Sequence, residues 1–563
     1  MAPKQFLLYL LKPSHYDDEG YVIQWLRSAI PSNTLACLNG LALECHERRV
    51  LGPHVDIVVR SYDETNSLLP LKRVLRDLKT TPGMVGLVGV QSNQFPRAMD
   101  IARTLRAAGI QVCMGGFHVS GCLAMLPELP PELKEAMDLG ISLFAGEAEG
   151  RLDEVLRDAF HGTLKPLYNY MDDLPGLEGA PIPFLPETRI RRTGGNMTSF
   201  DAGRGCPFLC SFCTIINVQG RKSRSRSADD VERIVRRNLA QGINRFFITD
   251  DNFARNRDWE AIFDRLIAMR EDERLNVKFV IQVDTMCHRL PRFIEKAGRA
   301  GVARVFIGLE SIHPDSLLGS HKKQNKIAEY RKNLLEWKRV GATIFAGYIV
   351  GFPGDTPESV RRDIAIIQRE LPIDLLEPHC LTPLPGSEDH LKLYQAGAYL
   401  DPDLNKYDLE HVTTKHAQMS TPEWERMYRD AWLGYFTRDH MKTVMRRAAA
   451  TPGMSAGNML FLLMWFYDCI VLENVDPLQG GYWRLKSRKN RRPSFPRENP
   501  LVFYPKYAAG LIWKHARLVR EIIHFYRFRR TLKREEARRY MDEALTPVSE
   551  EQADSLELLN ILH

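Results

Sequence analysis

The amino-acid sequence predicts an α/β protein in which two domains built on parallel strands are followed by a helical domain. Three observations predict this architecture. Short apolar runs alternate with helical stretches over residues 1–165, which is typical of a doubly wound sheet. Strand-like runs recur about six times over residues 196–400, as in a parallel barrel. Residues 401–563 have helical periodicity, and a chain of 563 residues has room for three domains of roughly 100–200 residues each.

The first domain, residues 1–165, is predicted from its alternation of apolar and helical runs. The predicted strands are Phe6–Leu11, Val55–Val59, Met84–Val90 and Gln111–Met114, and the predicted helices are Leu35–Arg48 and Phe95–Ala108. A doubly wound sheet binds ligands beyond the carboxyl ends of its strands. A linker rich in Pro, Gly and Asp, residues 166–195, is expected to wrap around the surface before the second domain begins.

The second domain, residues 196–400, is predicted to be a partial (β/α)6 barrel. Its predicted strands are Met197–Ala202, Arg245–Asp250, Lys278–Asp284, Arg304–Ser311, Thr343–Gly351 and Leu375–Pro383. Polar residues concentrate at the carboxyl ends of these strands, which is where parallel barrels place their active sites.

Three cysteines lie within eight residues directly after the first barrel strand. They are Cys206, Cys210 and Cys213, in the spacing Cys-x3-Cys-x2-Cys. Three thiolates this close together can all point inward only if they share a metal site. A 4Fe–4S cluster takes four ligands, normally all cysteine, so three thiolates would leave one iron open for a small molecule. The alternative is three buried or zinc-binding cysteines. The other seven cysteines are scattered and do not form a disulfide framework.

This spacing, with Phe212 directly before the last cysteine, resembles the radical S-adenosylmethionine (radical SAM) superfamily. The resemblance implies that the open iron binds SAM and that reductive cleavage of SAM gives a 5′-deoxyadenosyl radical. It also implies a reducing partner such as flavodoxin or ferredoxin. The cofactor would then supply the difficult chemistry, and the protein would direct it.

Carried over to this chain, the resemblance predicts SAM-binding residues at the barrel strand ends. Thr249–Asn252 stands where the family has its Gly-Gly-Glu segment, although the residues differ, and Gly347–Pro353 fits the family's adenine-side pattern. The predicted SAM-binding residues are Phe212, Asp250, Asp251, Gln282, Glu310 and Ile349. Arg224 and Arg226 follow the cysteines, and they either lie in a solvated turn or reach an anionic group of SAM or substrate.

Three segments of the first domain resemble the cobalamin-binding domain of cobalamin-dependent radical SAM enzymes, which makes that domain Rossmann-like. They are Gly89–Gln94, Gly115–His118 and Gly146–Glu149. The predicted cobalamin-binding residues are Val90, Gln91, Ser92, Asn93, Gly115, Gly116, Phe117 and His118, with His118 expected to order the backbone of a loop. The Asp-x-His-x-x-Gly motif of other cobalamin proteins is broken at His15. The alternative is a vestigial or substrate-binding Rossmann-like domain.

The C-terminal domain contains two predicted helices, Trp424–Arg447 and Met459–Leu472, and two basic stretches, residues 484–497 and 512–539. A basic helix with aromatic residues either lies on a membrane surface or forms a solvated cap over the barrel. A loose polar tail is expected from about Thr546. The N-terminus does not read as a signal peptide, and the apolar run Met459–Tyr467 is short of the ~20 residues of a membrane span, so we expect a cytoplasmic protein.

These observations predict a cobalamin-dependent radical SAM methyltransferase that acts on an unactivated carbon of a small-molecule or lipid substrate. One alternative keeps the radical but not the methyl transfer, as in a cyclase, a ring-contracting enzyme or an oxidase. Another is a non-catalytic iron–sulfur or corrinoid-binding sensor. The net charge of +7 is modest for this length and predicts no nucleic-acid partner.

Overall fold

The computed structural model describes residues 4–532, 537–547 and 557–560. Its first sheet has six parallel strands in the order β3-β1-β4-β5-β6-β7. These strands are β1 (Lys4–Lys12), β3 (Val55–Asp63), β4 (Gly83–Leu87), β5 (Val112–Gly115), β6 (Ser142–Ala145) and β7 (Leu167–Asn169), and β2 (Gln24–Ser28) lies outside the sheet. The first-domain helices are α1 (Asn33–Glu47), α2 (Leu71–Thr80), α3 (Phe95–Arg106), α4 (Phe117–Met125), α5 (Pro131–Asp138) and α6 (Leu152–His161).

Strand β1 explains why the first sheet is covered on both faces. Alternate residues of a strand point to opposite faces. Leu7, Tyr9 and Leu11 pack into one buried cluster, whereas Leu8 and Leu10 pack into another on the other face. A run that is apolar at every position therefore forms a central strand of a doubly wound sheet, as predicted.

The predicted linker contributes to the first sheet. Strand β7 pairs with β6 and lies within residues 166–195, so the sheet extends past the predicted boundary at residue 165. The remainder of that segment contains the short helix α7 (Glu187–Ile190).

The second sheet is an open barrel of six parallel strands that pair in chain order from β8 to β15. Its strands are β8 (Met197–Phe200), β11 (Arg245–Ile248), β12 (Lys278–Val283), β13 (Val302–Glu310), β14 (Thr343–Val350) and β15 (Leu375–Cys380). The short strands β9 (Gly203–Arg204) and β10 (Arg224–Ser225) pair on either side of the cysteine loop. The helices of this domain are α8 (Ile215–Val218), α9 (Ala228–Leu239), α10 (Trp259–Glu271), α11 (Phe293–Ala300), α12 (Pro314–Gly319), α13 (Tyr330–Arg339), α14 (Pro357–Glu370) and α15 (Glu388–Gln395).

All six predicted barrel strands are present, but each ends one to three residues earlier than predicted. Asp250, Asp284 and Ser311 therefore lie in the loops that follow their strands. These loops form the carboxyl-terminal mouth of the barrel, where a ligand would bind.

The C-terminal domain is mainly helical, but it is not only helical. Its helices are α16 (Thr421–Tyr435), α17 (Arg438–Ala450), α18 (Ala456–Tyr467), α19 (Pro500–Thr531) and α20 (Glu557–Asn560), and its strand is β16 (Gly481–Leu485). Strand β16 pairs antiparallel with β2 and joins this domain to the first one. The single helix predicted over 424–447 is two helices, because Thr437 caps a new helix with its side chain. Most of the predicted polar tail lies outside the described residues.

One stretch, Ala456–Glu473, is long and apolar enough to cross a membrane by length and composition alone. It comprises α18 and a π-helical continuation, Asp468–Glu473. Only 44% of this stretch is buried, yet Met459, Leu463 and Phe466 pack into the core cluster of the barrel. A buried core helix passes the same test.

Candidate active site

The cysteine loop is held in place by backbone hydrogen bonds on both sides. The Cys206 N–H donates to the Gly220 carbonyl at 3.2 Å, and the Ser211 N–H donates to the Ser320 carbonyl at 3.0 Å. Burial raises the pKa of all three thiols, and that of Cys213 reaches about 12. Metal ions bind the thiolate form of cysteine. A bound metal centre would therefore displace the thiol protons of these three residues.

The three thiols are spaced too widely for one zinc ion. Among the described residues, the group of three metal-binding side chains whose ligand atoms all lie within 4.8 Å consists of His118, Cys122 and Glu132. The cysteine triplet is not such a group, although a single zinc ion with Zn–S bonds of about 2.3 Å would draw its ligands closer than that. The spacing therefore fits a larger metal centre, such as an iron–sulfur cluster, better than a zinc ion.

The inner face of the barrel is identified by the direction of Tyr348. Its hydroxyl donates to Asp363 of α14 at 2.6 Å, so Tyr348 points out toward the helices. The neighbouring positions Gly347 and Ile349 then point inward. The β14–β15 register pairs Gly347 with Glu377 and Ile349 with His379, so these residues face the interior as well.

Asp250 fixes the backbone that leads into the cysteine loop. Its Oδ1 accepts hydrogen bonds from the N–H groups of Ala202 and Gly203 at 2.7 and 2.8 Å, and its Oδ2 accepts one from Asn256 at 2.8 Å. Burial raises the pKa of Asp250 to about 7. The structure thus gives this predicted SAM-binding residue a positioning role, and contact with SAM stays a prediction.

Asp251 acts on the cysteines through its charge, whereas Gln282 contacts the backbone at Asp250. The charge of Asp251 contributes to the raised pKa of the Cys213 thiol, and burial raises the pKa of Asp251 itself to about 7. Gln282 donates to the Asp250 carbonyl at 3.4 Å. Both side chains are only partly buried, as a ligand-binding role requires.

Lys322, which the sequence analysis did not predict as a site residue, lies next to both Glu310 and Phe212. Lys322 pairs with Glu310, and its ammonium lies 5.9 Å from the centre of the Phe212 ring. Gln324, on the same loop, donates to the Cys210 sulfur at 3.5 Å. Glu310 has a positive φ of 65°, which bends the chain at the end of β13 toward this loop. The loop after α12 therefore closes over the cysteines.

The predicted cobalamin-binding segments come together at the carboxyl edge of the first sheet. The Val90 N–H donates to the Gly115 carbonyl, and the His118 N–H donates to the Val90 carbonyl, each at 3.1 Å. The side chain of Val90 is fully buried in the core and does not face a cavity. Gly116 has a φ of 151°, and a Cβ atom there would lie 2.2 Å from the Val90 nitrogen. Glycine is needed at position 116 because the backbone of Val90 passes too close to leave room for a side chain.

His118 is not a loop residue, so that prediction is wrong. It lies in the first turn of α4, because the turn after β5 is short enough for the helix to begin at Phe117. Its ring is fully buried, with Nδ1 3.1 Å from Ser92 Oγ and Nε2 3.5 Å from Glu132. His118 therefore ties two of the predicted segments together.

Two adjoining cavities lie beside these segments. The larger, of about 450 Å³, is lined by Gln91, Ser92 and Asn93 on one side and by Thr214 and Ile215 on the other, directly after the last cysteine. The smaller, of about 190 Å³, is mainly apolar and runs between β4, β5 and helix α1 past Gly115 and Gly116. Both cavities share the residues Asn33, Thr34, Gly89 and Phe117.

A third cavity, of about 360 Å³, opens from the larger one toward the C-terminal domain. The two share His15, Ile23 and Asp408. His15 is buried, and burial lowers its pKa to about 4, so it is neutral at physiological pH. Helix α19 lines the far side with Phe503, among others.

The segment Gly146–Glu149 binds arginines of the cysteine loop. Arg204 pairs with Glu147 and Glu149, each at 2.6 Å, and Arg224 also pairs with Glu147. Arg226 is fully buried and pairs with Asp201. Arg224 and Arg226 therefore neither lie in a solvated turn nor reach an anionic group of SAM or substrate. Carboxylates and carbonyls within the protein already pair with them.

A second polar cluster lies at the barrel mouth and was missed by the sequence analysis. His379 Nδ1 lies 3.5 Å from Asp476 Oδ2, and Glu377 lies nearby with a buried, unpaired oxygen. Burial raises the pKa of Glu377 to about 8. The alternation of strand β15 could have indicated Glu377 and His379, but no local signal indicated Asp476.

Comparison with known proteins finds one matching family model and several related methyltransferases. Residues 202–366 match the family model of the radical SAM superfamily. A bacteriochlorophyllide d C-8(2)-methyltransferase from Chlorobaculum tepidum is 25% identical over 351 residues, covering 59% of this chain and 74% of that protein. A hopanoid C-2 methylase from Rhodopseudomonas palustris is 24% identical over 296 residues, covering 51% of this chain and 53% of that protein.

A solved structure shares the fold of both parallel-sheet domains. The radical SAM methyltransferase TsrM from Kitasatospora setae, with cobalamin and a [4Fe-4S] cluster bound, superposes with a TM-score of 0.51 at 16% identity. The match covers 75% of this chain and 85% of that one.

Proposed function

We propose that this chain, whose residues 202–366 match the radical SAM family model, is a cobalamin-dependent methyltransferase acting on an unactivated carbon, as its methyltransferase relatives suggest. The observation that carries the proposal is the cavity of about 450 Å³, which extends from the residues after Cys213 to Gln91, Ser92 and Asn93. A methyl donor held by the first domain and a radical generated at the cysteines would both reach a substrate in this space.

The residues present fit a 4Fe–4S cluster. Cys206, Cys210 and Cys213 would hold it, and they leave one iron for SAM. One cation lies beside them, since the charge of Lys322 lowers the pKa of Cys210 against the effect of burial. Phe212, Asp251, Gln282, Glu310 and Ile349 are the residues that we propose for SAM binding.

The residues present also fit cobalamin. The larger cavity, of about 450 Å³, falls in the size range of cofactor sites, and the smaller apolar cavity beside Gly115 adjoins it. Asn33 Oδ1 and Asn93 Oδ1 are buried without a hydrogen-bond partner, and both residues line the wide cavity. Unpaired buried amide oxygens are costly unless a ligand supplies donors.

When bound, the cluster and SAM would supply the 5′-deoxyadenosyl radical, and cobalamin would carry the methyl group. The chain's own residues do the positioning. Asp250 fixes the cysteine loop, Lys322 orients Glu310, and the Arg204 ion pairs hold the two domains in register. Neutral His15 separates the reaction cavity from the outer one.

The first test is anaerobic purification, cluster reconstitution, addition of hydroxocobalamin and desalting, followed by iron and corrinoid quantification. We expect about four irons per chain and near-stoichiometric corrinoid. Cys210→Ala should lose the cluster and all SAM cleavage, whereas Cys45→Ala, a buried cysteine of α1, should keep both. Cluster absorbance without retained corrinoid would contradict the methyltransferase proposal.

Methyl transfer is separated from the other radical outcomes by its products. With SAM carrying a deuterated methyl group, a methyltransferase yields S-adenosylhomocysteine together with 5′-deoxyadenosine and a labelled product. 5′-Deoxyadenosine without S-adenosylhomocysteine would instead favour cyclisation, ring contraction or oxidation. The proposal includes a flavodoxin or ferredoxin as reductant, a small-molecule or lipid substrate and a cytoplasmic location.

A further inference from the structure

Helix α19 presents an apolar face to solvent. Nine of its large apolar side chains are between 37% and 84% exposed, of 21 such residues among all those that the structure describes. They are Leu501, Val502, Tyr504, Ile512, Trp513, Val519, Ile522, Ile523 and Tyr526. A surface helix normally turns its polar side outward. This helix does the opposite, so its outer face is an interaction surface.

The exposed apolar residues cover the outer half of the helix, and four of them form a stripe along its centre. At about 100° per residue, Leu501, Ile512, Val519 and Ile523 fall within roughly 40° of one another. The buried residues Phe503, Glu521 and Phe525 lie on the opposite side of the helix. The inner side is fully engaged, since Glu521 pairs with Arg438 at 2.5 Å and Phe525 packs into the core. The outer stripe therefore does not arise from a poorly packed helix.

The same helix is strongly basic. It carries seven Lys or Arg residues and one acidic residue, the buried Glu521. Lys506, Arg520, Arg527 and Arg530 are exposed beside or within the apolar stripe. Trp483 extends the surface, because it is half exposed and its ring lies 4.4 Å from that of His515. An apolar stripe with basic residues along it is the pattern of a helix that lies in a membrane interface.

The charge decides between the possible occupants of this surface. A second copy of the helix would bring two strongly positive faces together, which is unfavourable. An anionic lipid surface supplies an apolar layer for the stripe and negative headgroups for the arginines. We infer that the outward face of α19 docks on an anionic membrane surface.

This inference moves the predicted membrane contact away from residues 484–497. Arg484 is buried and pairs with Asp17, Lys486 pairs with Glu19, and Arg492 pairs with Asp403. Three of the seven basic residues of that stretch are thus paired within the protein. The inner side of α19 lines the third cavity, so docking places the wall of that cavity within about one helix diameter, ~10 Å, of the lipid.

The test is flotation of the purified full-length chain with vesicles of phosphatidylcholine alone or mixed with phosphatidylglycerol. We expect the chain to float with the anionic vesicles only. The triple variant Ile512→Gln, Val519→Gln, Ile523→Gln should lose at least ten-fold in partitioning, because three apolar side chains would no longer enter the lipid. The variant Arg520→Gln, Arg527→Gln, Arg530→Gln should lose the preference for anionic lipid. The matched control Leu68→Gln, Leu139→Gln, Leu433→Gln, exposed outside this helix, should float like the wild type.

Circular dichroism of each variant reports folding, and light scattering after gel filtration reports self-association. Wild-type chain that stays with neither kind of vesicle would overturn the inference, as would equal flotation of the Ile512 triple variant. A wild-type dimer that becomes a monomer in that variant, without vesicle binding, would assign the face to a second copy. None of these readouts depends on the proposed methyl transfer.

Discussion

Arg204 and Glu149 form a buried, two-pronged ion pair that joins the cysteine loop to the first domain. Arg204 Nη2 donates to Glu149 Oε1 at 2.6 Å, and Nη1 donates to Glu149 Oε2 at 3.1 Å. Nη1 also donates to Glu147 at 2.6 Å. Arg204 lies two residues before Cys206, so the position of the first cysteine depends on the first domain. A planar guanidinium suits this role because it can serve two carboxylates in fixed geometry.

We predict that Arg204→Met lowers the free energy of unfolding by about 3–5 kcal/mol, because Glu147, Glu149 and Asp201 lose a buried counter-ion. Chemical denaturation measures this. Arg191→Met is the control, since Arg191 forms an exposed i,i+4 pair with Glu187, and we expect a change below about 0.5 kcal/mol. Equal effects of the two substitutions would contradict a structural role for the interdomain pair.

The sequence was sufficient for the fold because the signals were local. The apolar runs of β1 and of the barrel strands could be recognised within a few residues, and so could the cysteine spacing. Strand ends were predicted too late because polar residues such as Asp250 follow the strand and look like its continuation. Their direction depends on the loop, which local pattern does not determine.

The site residues that the sequence analysis missed lie on different segments of the chain from the residues that they contact. Lys322 reaches Glu310 from a loop after α12, and Asp476 reaches His379 from the C-terminal domain. For the basic stretch 512–539 the sequence left two alternatives, a membrane-surface helix or a solvated cap, because a helical pattern does not show which side of the helix packs. The sequence predicts that the basic stretch 484–497 lies at the surface, because its acidic partners, Asp17 and Asp403, are far away in the sequence.

We predict that Gly116→Ala weakens corrinoid retention and lowers the free energy of unfolding by about 1–3 kcal/mol. A Cβ atom would lie 2.2 Å from the Val90 nitrogen, and the φ of 151° disfavours any L side chain. The segments that carry Asn93 and Phe117 would have to separate. Gly176→Ala is the control, because nothing lies within 4 Å of its Cβ position. Wild-type retention of hydroxocobalamin by Gly116→Ala would show that the segment does not bind it.

We predict that Lys322→Met weakens SAM binding about ten-fold, equivalent to ~1.4 kcal/mol, while the iron content is unchanged. Lys322 is the cationic partner of Glu310 and is not a cluster ligand. Calorimetric titration of the reconstituted protein with SAM measures the effect, and Lys322→Arg should recover part of it. The exposed Lys332 provides the control substitution Lys332→Met. Unchanged SAM affinity in Lys322→Met would remove Glu310 from the SAM site.

The last prediction concerns Glu377, whose pKa burial raises from 4.5 to about 8. Between about pH 4.5 and about pH 8, the unfolded chain loses this proton and the folded chain keeps it. The folded state then binds more protons, so the free energy of unfolding falls as the pH rises through this window. Glu377→Gln keeps the shape of the side chain but cannot ionise. We expect it to be more stable than the wild type at the upper end of the window, by a few kcal/mol, and similar at the lower end.

Thermal unfolding across this pH range measures the difference between Glu377→Gln and the wild type. Glu128→Gln, in an exposed loop, is the control and should follow the wild type at every pH. If the difference between Glu377→Gln and the wild type does not change with pH, then Glu377 is already ionised in the folded protein. The barrel mouth would then carry an additional negative charge and would favour a cationic group of the substrate rather than a neutral one.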